Sequence, residues 1–235
     1  MKFTFTRSVF LGITVVCLIA SYSRADGKAK AIKPFNGKDL TGWLAKGGSP
    51  EETLKVGMAK IDPDNPRELI VEEDGHDLIN FKGGARDFYT AEKFGDSVIE
   101  LEFMVPKGSN SGVYVMGEYE VQILDSYGKK EVGAGDVGGL YGARAPRVNA
   151  AKAPGEWQKF LIDFRAPKFD DTGKKTANAR FVKVTLNGTV IHEDVDMKGP
   201  TPGGVSGKEA PEGPIMFQGN HGPVAFRNIT ITPVK

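Results

Sequence analysis

The chain has 235 residues, and its 31 Lys and Arg nearly balance its 30 Asp and Glu, for a formal net charge of +1. That balance excludes a nucleic-acid-binding protein that relies on an excess of positive charge over phosphate groups. Apolar residues make up 40% and charged residues 26%, which is typical of a globular protein and excludes a disordered or fibrous one. The 30 Gly and 14 Pro favour turn-rich β structure over long helices.

The first 25 residues have the pattern of a secretory signal peptide. An apolar run from Val9 to Ala20 follows a basic start, and Ser23-Arg24-Ala25 offers a small-x-small cleavage site. The run is shorter than the ~20 residues that span a bilayer, so we expect a secreted or periplasmic protein with no membrane span after cleavage. An uncleaved anchor is the alternative. Cleavage removes Cys17, the single cysteine, and leaves no disulfide or thiolate zinc site.

Short segments in which apolar and polar residues alternate recur along the rest of the chain, and this two-residue period predicts half-buried antiparallel strands. The predicted strands are Ser97–Val105, Gly112–Met116, Tyr119–Leu124, Phe160–Phe164, Arg180–Leu186, Thr189–Glu193, Gly213–Gln218 and Val224–Thr232. Asn187-Gly188 predicts a tight hairpin turn. Because no segment has a helical period, we predict an all-β fold, a two-sheet antiparallel sandwich of the jelly-roll type.

The organisation that follows is a signal peptide (1–25), a polar lead-in (26–33) and a single β-sandwich catalytic domain (34–235). Three stretches interrupt the strand pattern: Tyr127–Glu156, the charged Arg165–Ala179, and Val195–Pro214. Long loops in a compact domain are usually functional or mobile, so we expect these loops to form the walls of a cleft over one sheet.

The predicted strand that begins at Tyr119 carries the clearest candidate chemistry. Its odd-numbered residues belong in the core, whereas Glu120 and Gln122 stand about 7 Å apart on the opposite face, with Asp125 at the strand's end. A carboxylate beside an amide suits sugar chemistry, because the acid transfers protons and the amide recognises hydroxyl groups. The alternative is an ordinary solvent-exposed polar face.

The predicted strand Ser97–Val105 also places carboxylates, Glu100 and Glu102, opposite an apolar face. If this strand lies near Glu120, two carboxylates come close together and the pKa of one should rise, as a general acid requires. A plain charged outer face is the alternative.

Two turns complete the candidates. Gly108-Ser109-Asn110-Ser111-Gly112 could present polar donors to a ligand or simply satisfy its own backbone. His221 lies in a Gly- and Pro-constrained segment between two strands, and histidine exchanges protons near neutral pH, although loop histidines without a role are common. No metal motif of recognised spacing occurs, so we predict no cofactor. Asp, Asn and Gln residues that are far apart in the sequence could together ligate a divalent cation, but no spacing motif supports such a site.

Seven motifs occur along nearly the whole chain after the predicted signal peptide: Pro34–Trp43, Phe94–Phe103, Gly108–Asp125, Gly139–Pro146, Pro154–Ile162, Leu186–Gly188 and Gly213–Ile231. In this order they resemble the 3-keto-disaccharide hydrolase domain family, which has a concanavalin A-like sandwich. The resemblance implies a bacterial secreted or periplasmic protein that acts on a glycoside or oligosaccharide oxidised at carbon 3 by a partner sugar 3-dehydrogenase.

The resemblance also implies a set of site residues. Glu120, His221 and Asp125 are expected to be catalytic, with Glu120 as base or acid and His221 as its partner. The residues expected to bind substrate are Glu102, Asn110, Ser111, Gln122, Tyr141, Gln218 and Arg227.

The chemistry expected of such a site is elimination. A ketone at carbon 3 acidifies the hydrogen on carbon 2, a base removes it, the group on carbon 1 leaves, and water adds back. A non-catalytic carbohydrate-binding module of the same fold is the main alternative. An endo-glucanase of this fold class would need Glu-x-Asp-x-Glu on one strand, but here Gln122 and Leu124 occupy the second and third positions.

Overall fold

The computed structural model describes residues 1–2 and 29–234. Apart from Met1 and Lys2, the predicted signal peptide lies outside the described residues, so secretion and cleavage stay predictions. Within the described ranges, no helix is long and apolar enough to cross a membrane. The described lead-in is tied to the domain, because Ile32 and Ile231 exchange two backbone hydrogen bonds of 2.8 Å.

The regular secondary structure of the described residues is almost entirely strand. In chain order the strands are β1 Trp43–Ala45, β2 Leu54–Ile61, β3 Leu69–Asn80, β4 Phe88–Thr90, β5 Ser97–Met104, β6 Asn110–Val115, β7 Tyr119–Leu124, β8 Gln158–Arg165, β9 Lys168–Phe169, β10 Lys175–Ala177, β11 Ala179–Leu186, β12 Thr189–Met197, β13 Met216–Phe217 and β14 Val224–Pro233. One 3-10 turn, Pro50–Glu52, precedes β2.

The strands form two large sheets. One has seven strands in the order β12-β11-β8-β5-β14-β3-β2, the other has five in the order β1-β4-β13-β6-β7, and β9 and β10 form a separate ribbon. Neighbouring strands pair antiparallel, and many neighbours are distant in sequence, as in a jelly roll. The predicted all-β, two-sheet antiparallel sandwich is therefore confirmed.

Each predicted strand is present, Tyr119–Leu124 with its predicted ends and the others with shifted ends, but the prediction is incomplete. It missed β1 to β4. The largest omission is β3. Its segment Glu72–His76 is too polar to show a regular alternation. This segment also lies beside a register shift in the β2–β3 pairing, between Gly57 and Met58. The predicted loop Arg165–Ala179 contains the β9–β10 ribbon, and β12 extends into the predicted loop Val195–Pro214.

The Asn187-Gly188 turn was predicted correctly. Both residues have positive φ, 52° and 82°, as a type I′ turn requires. The turn pairs Leu186 with Thr189 and sets the register of β11 against β12.

An aromatic layer joins the two sheets. Phe217 of β13 stacks on Phe226 of β14, with ring centroids 3.9 Å apart and an interplanar angle of 9°. Phe88 of β4 packs edge-on against both rings, and Trp43 of β1 stacks on Phe217. The inward faces of both sheets are thus occupied by apolar side chains, and polar side chains on β6 and β7 are left to the outer face of the five-stranded sheet.

We predict that Phe217→Ala lowers the free energy of unfolding by about 3–5 kcal/mol, because it leaves a cavity where the two sheets meet. Denaturant unfolding measures the effect. Tyr127→Ala, at an aromatic residue that is 59% exposed, is the control and should change stability by less than about 0.5 kcal/mol. Equal losses in the two variants would contradict the assignment of Phe217 to the core.

Candidate active site

The hairpin β6–β7 supplies the centre of the site. In its register Tyr114 lies opposite Glu120 and Gly112 opposite Gln122, and alternation puts Asn110 on the same face. The other faces of both strands carry core residues such as Val113 and Val121. The hairpin therefore collects a carboxylate, two amides and a phenol on the outer face of the five-stranded sheet.

Loops close this face into a cavity of about 180 Å³, which we call the Glu120 cavity. Its lining residues are Asn110, Tyr114, Glu120, Gln122, Tyr141, Pro202, Gly203, Gln218 and His221. Six of the ten predicted site residues are thus brought together. Sequence reasoning missed Tyr114, although its two-residue spacing from Gly112 places it on the face that Asn110 shares.

The carboxyl group of Glu120 is held by one hydrogen bond and by the shape of its neighbours. The side chain is buried, and its Oε2 accepts a hydrogen bond of 2.8 Å from the Tyr114 hydroxyl. Its Oε1 has no hydrogen-bond partner. A Cβ on Gly112 would lie 2.2 Å from that Oε1, so the missing side chain at position 112 makes room for the carboxyl group.

Burial raises the pKa of Glu120 to about 7. The hydrogen bond from Tyr114 opposes this shift, and the negative charge of Asp87 adds to it. Burial and the neighbouring Glu120 also raise the pKa of the Tyr114 hydroxyl above its usual range. Near neutral pH, Glu120 can therefore take up and release a proton while Tyr114 stays protonated and keeps donating to it.

Three buried acceptor atoms of the Glu120 cavity are available to a ligand. Asn110 Oδ1, Glu120 Oε1 and Gln122 Oε1 all belong to residues that line the Glu120 cavity, and none has a hydrogen-bond partner. Leaving such an atom unpaired costs about 1–3 kcal/mol, so the site is suited to a ligand that donates several hydrogen bonds. Oxygen atoms of this kind also ligate hard cations. Among residues 1–2 and 29–234, however, no group of three His, Cys, Asp or Glu is placed to hold a metal ion.

One wall of the cavity is the loop after β12, which Glu118 anchors. The buried Glu118 carboxylate accepts hydrogen bonds from the Ser206 N–H and hydroxyl and from the Gly207 N–H, at 2.7–2.9 Å. Thr201 Oγ1 donates to the Glu118 carbonyl and accepts from the Glu120 N–H, both at 3.0 Å. The loop is thus fastened to the start of the strand that carries Glu120.

Lys46 and Asp87 link this wall to the loop that carries His221. Lys46 Nζ donates to the carbonyls of Gly203 and Gly204 at 3.2 and 2.9 Å, and lies 3.8 Å from Asp87 Oδ2. Asp87 Oδ1 accepts the Gly219 N–H at 3.1 Å. The pair therefore connects the loops on both sides of the cavity.

His221 lies exposed at the rim of the Glu120 cavity. Asn80, fully buried, holds its loop by donating to the carbonyls of Gly219 and Gly222 at 2.9 and 3.1 Å. The Asn220 side-chain oxygen contacts His221 Nδ1. With Nδ1 engaged by its neighbour, Nε2 is the ring nitrogen available to a ligand.

Glu102 and Arg227 lie elsewhere. Glu102 belongs to β5 of the seven-stranded sheet, whose Phe103 shares the core with Val121 of β7. Glu102 and Glu120 therefore project from opposite outer faces of the sandwich, so the strand of Glu102 does not lie near Glu120 and the two carboxylates do not pair. Arg227 Nε bonds Glu102 Oε2 at 2.6 Å, and its guanidinium lies 3.9 Å from the Trp157 ring centroid, so it stays on that far face.

Asp125 and Ser111 are not among the residues that line the Glu120 cavity. The Asp125 carboxylate accepts the Gly108 N–H at 2.8 Å and fixes the turn before β6. Ser111 is on the core-facing side of β6, and its hydroxyl donates to the Gln218 carbonyl at 2.7 Å. The structure therefore gives both residues positioning contacts and does not place them with Glu120 and His221.

A family model, the 3-keto-alpha-glucoside-1,2-lyase-like domain, matches residues 30–232. The chain belongs to this family. The match confirms the resemblance found in the sequence, and it spans both large sheets and every residue that lines the Glu120 cavity. No curated protein matches the chain.

Solved structures share the fold. One protein of Parabacteroides distasonis ATCC 8503, provisionally described as a glycosyl hydrolase, is 29% identical, with a TM-score of 0.67 over 87% of this chain and 84% of its own. A second protein of that organism with the same description is 17% identical, with a TM-score of 0.60 over 87% of this chain and 94% of its own. The second likeness concerns the fold alone.

We predict that the raised pKa of Glu120 makes stability depend on pH. The folded protein binds this proton more tightly than the unfolded chain, whose carboxyl has its ordinary pKa of 4.5. Glu120 therefore contributes stability below pH 4.5 that is lost as the pH rises through about 7, on the order of 3 kcal/mol in total.

Chemical denaturation of wild type and Glu120→Gln from pH 4 to 8 measures this effect. As the pH rises from 4 to 8, the unfolding free energy of Glu120→Gln should increase relative to that of wild type. A difference that is constant with pH would show that the carboxyl group has an ordinary pKa.

Proposed function

We propose that this protein cleaves the glycosidic bond of 3-keto-glycosides by elimination, with Glu120 as the base. The observation that carries the proposal is the free Oε1 of a buried carboxyl group whose pKa is about 7, in a cavity lined by two further unpartnered acceptors. A base of this strength is partly ionised near neutral pH and is stronger than an exposed glutamate. The family's lyase-like description supports the same class of reaction.

In the first step, Glu120 Oε1 takes the hydrogen from carbon 2 of the sugar as a proton. The electron pair of the broken C–H bond forms a carbon 2–carbon 3 double bond, and the ketone oxygen becomes an enolate. Tyr114 keeps its hydrogen bond to Oε2, which leaves Oε1 as the reacting oxygen. Sugar hydroxyl groups would donate hydrogen bonds to Asn110 Oδ1 and Gln122 Oε1, which have no other partner, and these bonds would orient the ring.

In the second step the ketone re-forms, a double bond forms between carbons 1 and 2, and the bond from carbon 1 to the leaving oxygen breaks. His221, when protonated, gives the proton that the leaving oxygen needs from its available Nε2 at the cavity rim. Water then adds across the new double bond, with hydroxide at carbon 1 and hydrogen at carbon 2. The net result is hydrolysis.

The residues that line the Glu120 cavity favour this route over a conventional glycosidase mechanism. Retaining and inverting glycosidases use a pair of carboxyl groups about 5–9.5 Å apart. Among the described residues that line the cavity, Glu120 is the one carboxylate. Elimination needs only one base beside the carbonyl-activated hydrogen, because the substrate itself supplies the activation.

The substrate must be made before it is cleaved. Carbon 3 of an ordinary sugar is an alcohol, so a sugar 3-dehydrogenase has to supply the ketone, and we propose such an enzyme as the functional partner. We place both in the secreted or periplasmic space because of the predicted signal peptide. The substrate class is an oligosaccharide or small glycoside.

The test is release of product from a matched pair of substrates, a glucoside and its 3-keto derivative. We predict cleavage of the keto form alone, with a bell-shaped dependence of kcat/KM on pH because the base must be ionised and the acid protonated. The rising limb reports the ionisation of Glu120 near pH 7. Glu120→Gln should lower kcat by about 10²–10⁴-fold, the usual contribution of a positioned base. Glu100→Gln, on the far face of the seven-stranded sheet, is the matched control and should retain wild-type activity.

Other outcomes separate the alternatives. Full activity of Glu120→Gln would overturn the role of the base. Saturable binding of an oligosaccharide without cleavage of either substrate would make the protein a carbohydrate-binding module. The assay is run with and without EDTA, and loss of activity with EDTA would assign the unpartnered oxygens to a cation rather than to sugar hydroxyls.

A further inference from the structure

Residues 135–141, which we call the 135–141 segment, bridge the edge strands of the two large sheets, β7 and β12. On the β7 side, the Gly138 N–H donates to the Gln122 carbonyl at 2.7 Å, and the Gln122 N–H donates to the Gly139 carbonyl at 2.8 Å. The Gly135 carbonyl accepts a hydrogen bond of 3.2 Å from Gln122 Nε2. The segment therefore holds both backbone groups and the amide nitrogen of Gln122.

His192 of β12 reaches the same segment from the other sheet. Its side chain is buried, and its Nε2 lies 2.7 Å from the Gly138 carbonyl oxygen. Because a carbonyl oxygen only accepts, Nε2 carries the hydrogen and donates it. Gly138 can lie this close to β12 because it has no side chain. A Cβ there would lie 2.4 Å from Ile191 Cδ1, and its φ is +79°.

The imidazole of His192 is uncharged near neutral pH. Burial lowers its pKa, and the nearby positive charges of Arg144 and Arg147 lower it further, while the hydrogen bond to the Gly138 carbonyl opposes the shift. Glu120 exchanges its proton near pH 7, where His192 stays neutral and keeps donating. The link between β12 and the 135–141 segment is therefore intact where the proposed base works.

We propose that His192 is a positioning residue for the Glu120 cavity and that it acts through Gln122. The inference rests on the proposed function, because it takes Gln122 Oε1 to bind a sugar hydroxyl. The 135–141 segment occupies the other polar groups of Gln122, so Oε1 is the one left to the cavity. Fixing the segment to β12 fixes this oxygen. A misplacement of about 1 Å that originates far from the chemistry can lower a rate by about 10²-fold.

The 135–141 segment has further anchors, so loss of the His192 bond should loosen it without unfolding the protein. The Asp136 carboxylate accepts hydrogen bonds from the Gly133 N–H at 2.8 Å and from Lys129 Nζ at 2.6 Å. The side chain of Val137 is buried in the core. A variant without the histidine donor can therefore be tested as a folded protein.

His76 of β3 provides a matched control. Its Nδ1 lies 2.8 Å from the Gly37 carbonyl oxygen, so this histidine also donates from a ring nitrogen to the carbonyl of a glycine. Neither His76 nor Gly37 lines the Glu120 cavity. The same substitution at His76 thus removes the same kind of hydrogen bond without touching the 135–141 segment.

The first experiment is a double-mutant cycle on kcat/KM for methyl 3-keto-glucoside. His192→Phe keeps a planar ring without the donor and should lower kcat/KM by roughly tenfold or more. His192→Gln can donate to the same carbonyl and should restore most of it, and His76→Phe should change nothing. When Gln122→Ala is already present, His192→Phe should cost less than about a further twofold, because residues that act through one another are not additive. A full second loss would overturn the route through Gln122.

Amide hydrogen exchange tests the same link without activity. In His192→Phe, the N–H groups of Gly138 and Gln122 should exchange faster by roughly fivefold, the usual effect of losing one hydrogen bond. The Ile231 N–H, which donates to the Ile32 carbonyl at 2.8 Å, is the internal reference and should keep its rate. Thermal unfolding checks that each variant is folded.

The two proposals fail in different ways. Unchanged exchange at Gly138 and Gln122, or faster exchange with undiminished kcat/KM, would overturn the positioning role while the lyase activity stands. Faster exchange in a protein whose wild type cleaves no 3-keto glycoside would overturn the proposed function and leave the link from His192 to Gln122 standing.

Nitrogen-15 NMR of the wild-type imidazole needs no variant. We expect the hydrogen of His192 on Nε2 and no titration near the ordinary histidine pKa of 6.5. A ring that titrates there, as an exposed histidine does, would show that the bond to Gly138 is absent and would overturn the proposal even if His192→Phe did not fold.

Discussion

The burial of the Glu120 carboxyl group beside a residue without a side chain governs the rest of the site. Desolvation raises its pKa to about 7, and the 2.8 Å hydrogen bond from Tyr114 occupies one oxygen and leaves the other free. Ionising a carboxyl group this buried is costly unless a ligand compensates the negative charge. Without such compensation the group tends to keep its proton. The site is therefore built to exchange a proton, and the space at Gly112 is what allows the carboxyl group to lie there.

The surrounding fold keeps that arrangement in place. The aromatic stack between Phe217 and Phe226 fixes the two sheets, so the hairpin that carries Glu120 presents a rigid outer face. Glu118 then fastens one loop over this face, and Asn80 fastens the loop of His221 from the opposite sheet. A preorganised site of this kind needs little rearrangement when the substrate binds.

The sequence was sufficient to predict two antiparallel sheets and most of their central strands, but not which strands are neighbours. Alternation along β7 correctly put Glu120 and Gln122 opposite the core, and Asn187-Gly188 correctly predicted a hairpin, because both signals are local. Whether Glu102 or Arg227 reaches Glu120 depends on which sheet each strand joins, and a strand's own pattern is the same in either sheet. The hydrogen bond from Tyr114 to Glu120 depends on the register of β6 with β7, which places the two residues opposite each other and which neither strand reveals alone. The loops Thr201–Gly207 and Gly219–Gly222 required tertiary contacts to place them.

The most direct test of elimination from carbon 2 is to run the cleavage of a 3-keto glycoside in D₂O and examine the released sugar by NMR. The account predicts either an unsaturated ketone or, after hydration, a 3-keto sugar with deuterium at carbon 2. The free 3-keto sugar incubated without enzyme, and with Glu120→Gln, corrects for spontaneous exchange. A released 3-keto sugar that keeps its original hydrogen at carbon 2 would show that the glycosidic bond is hydrolysed directly, and would contradict the role assigned to Glu120.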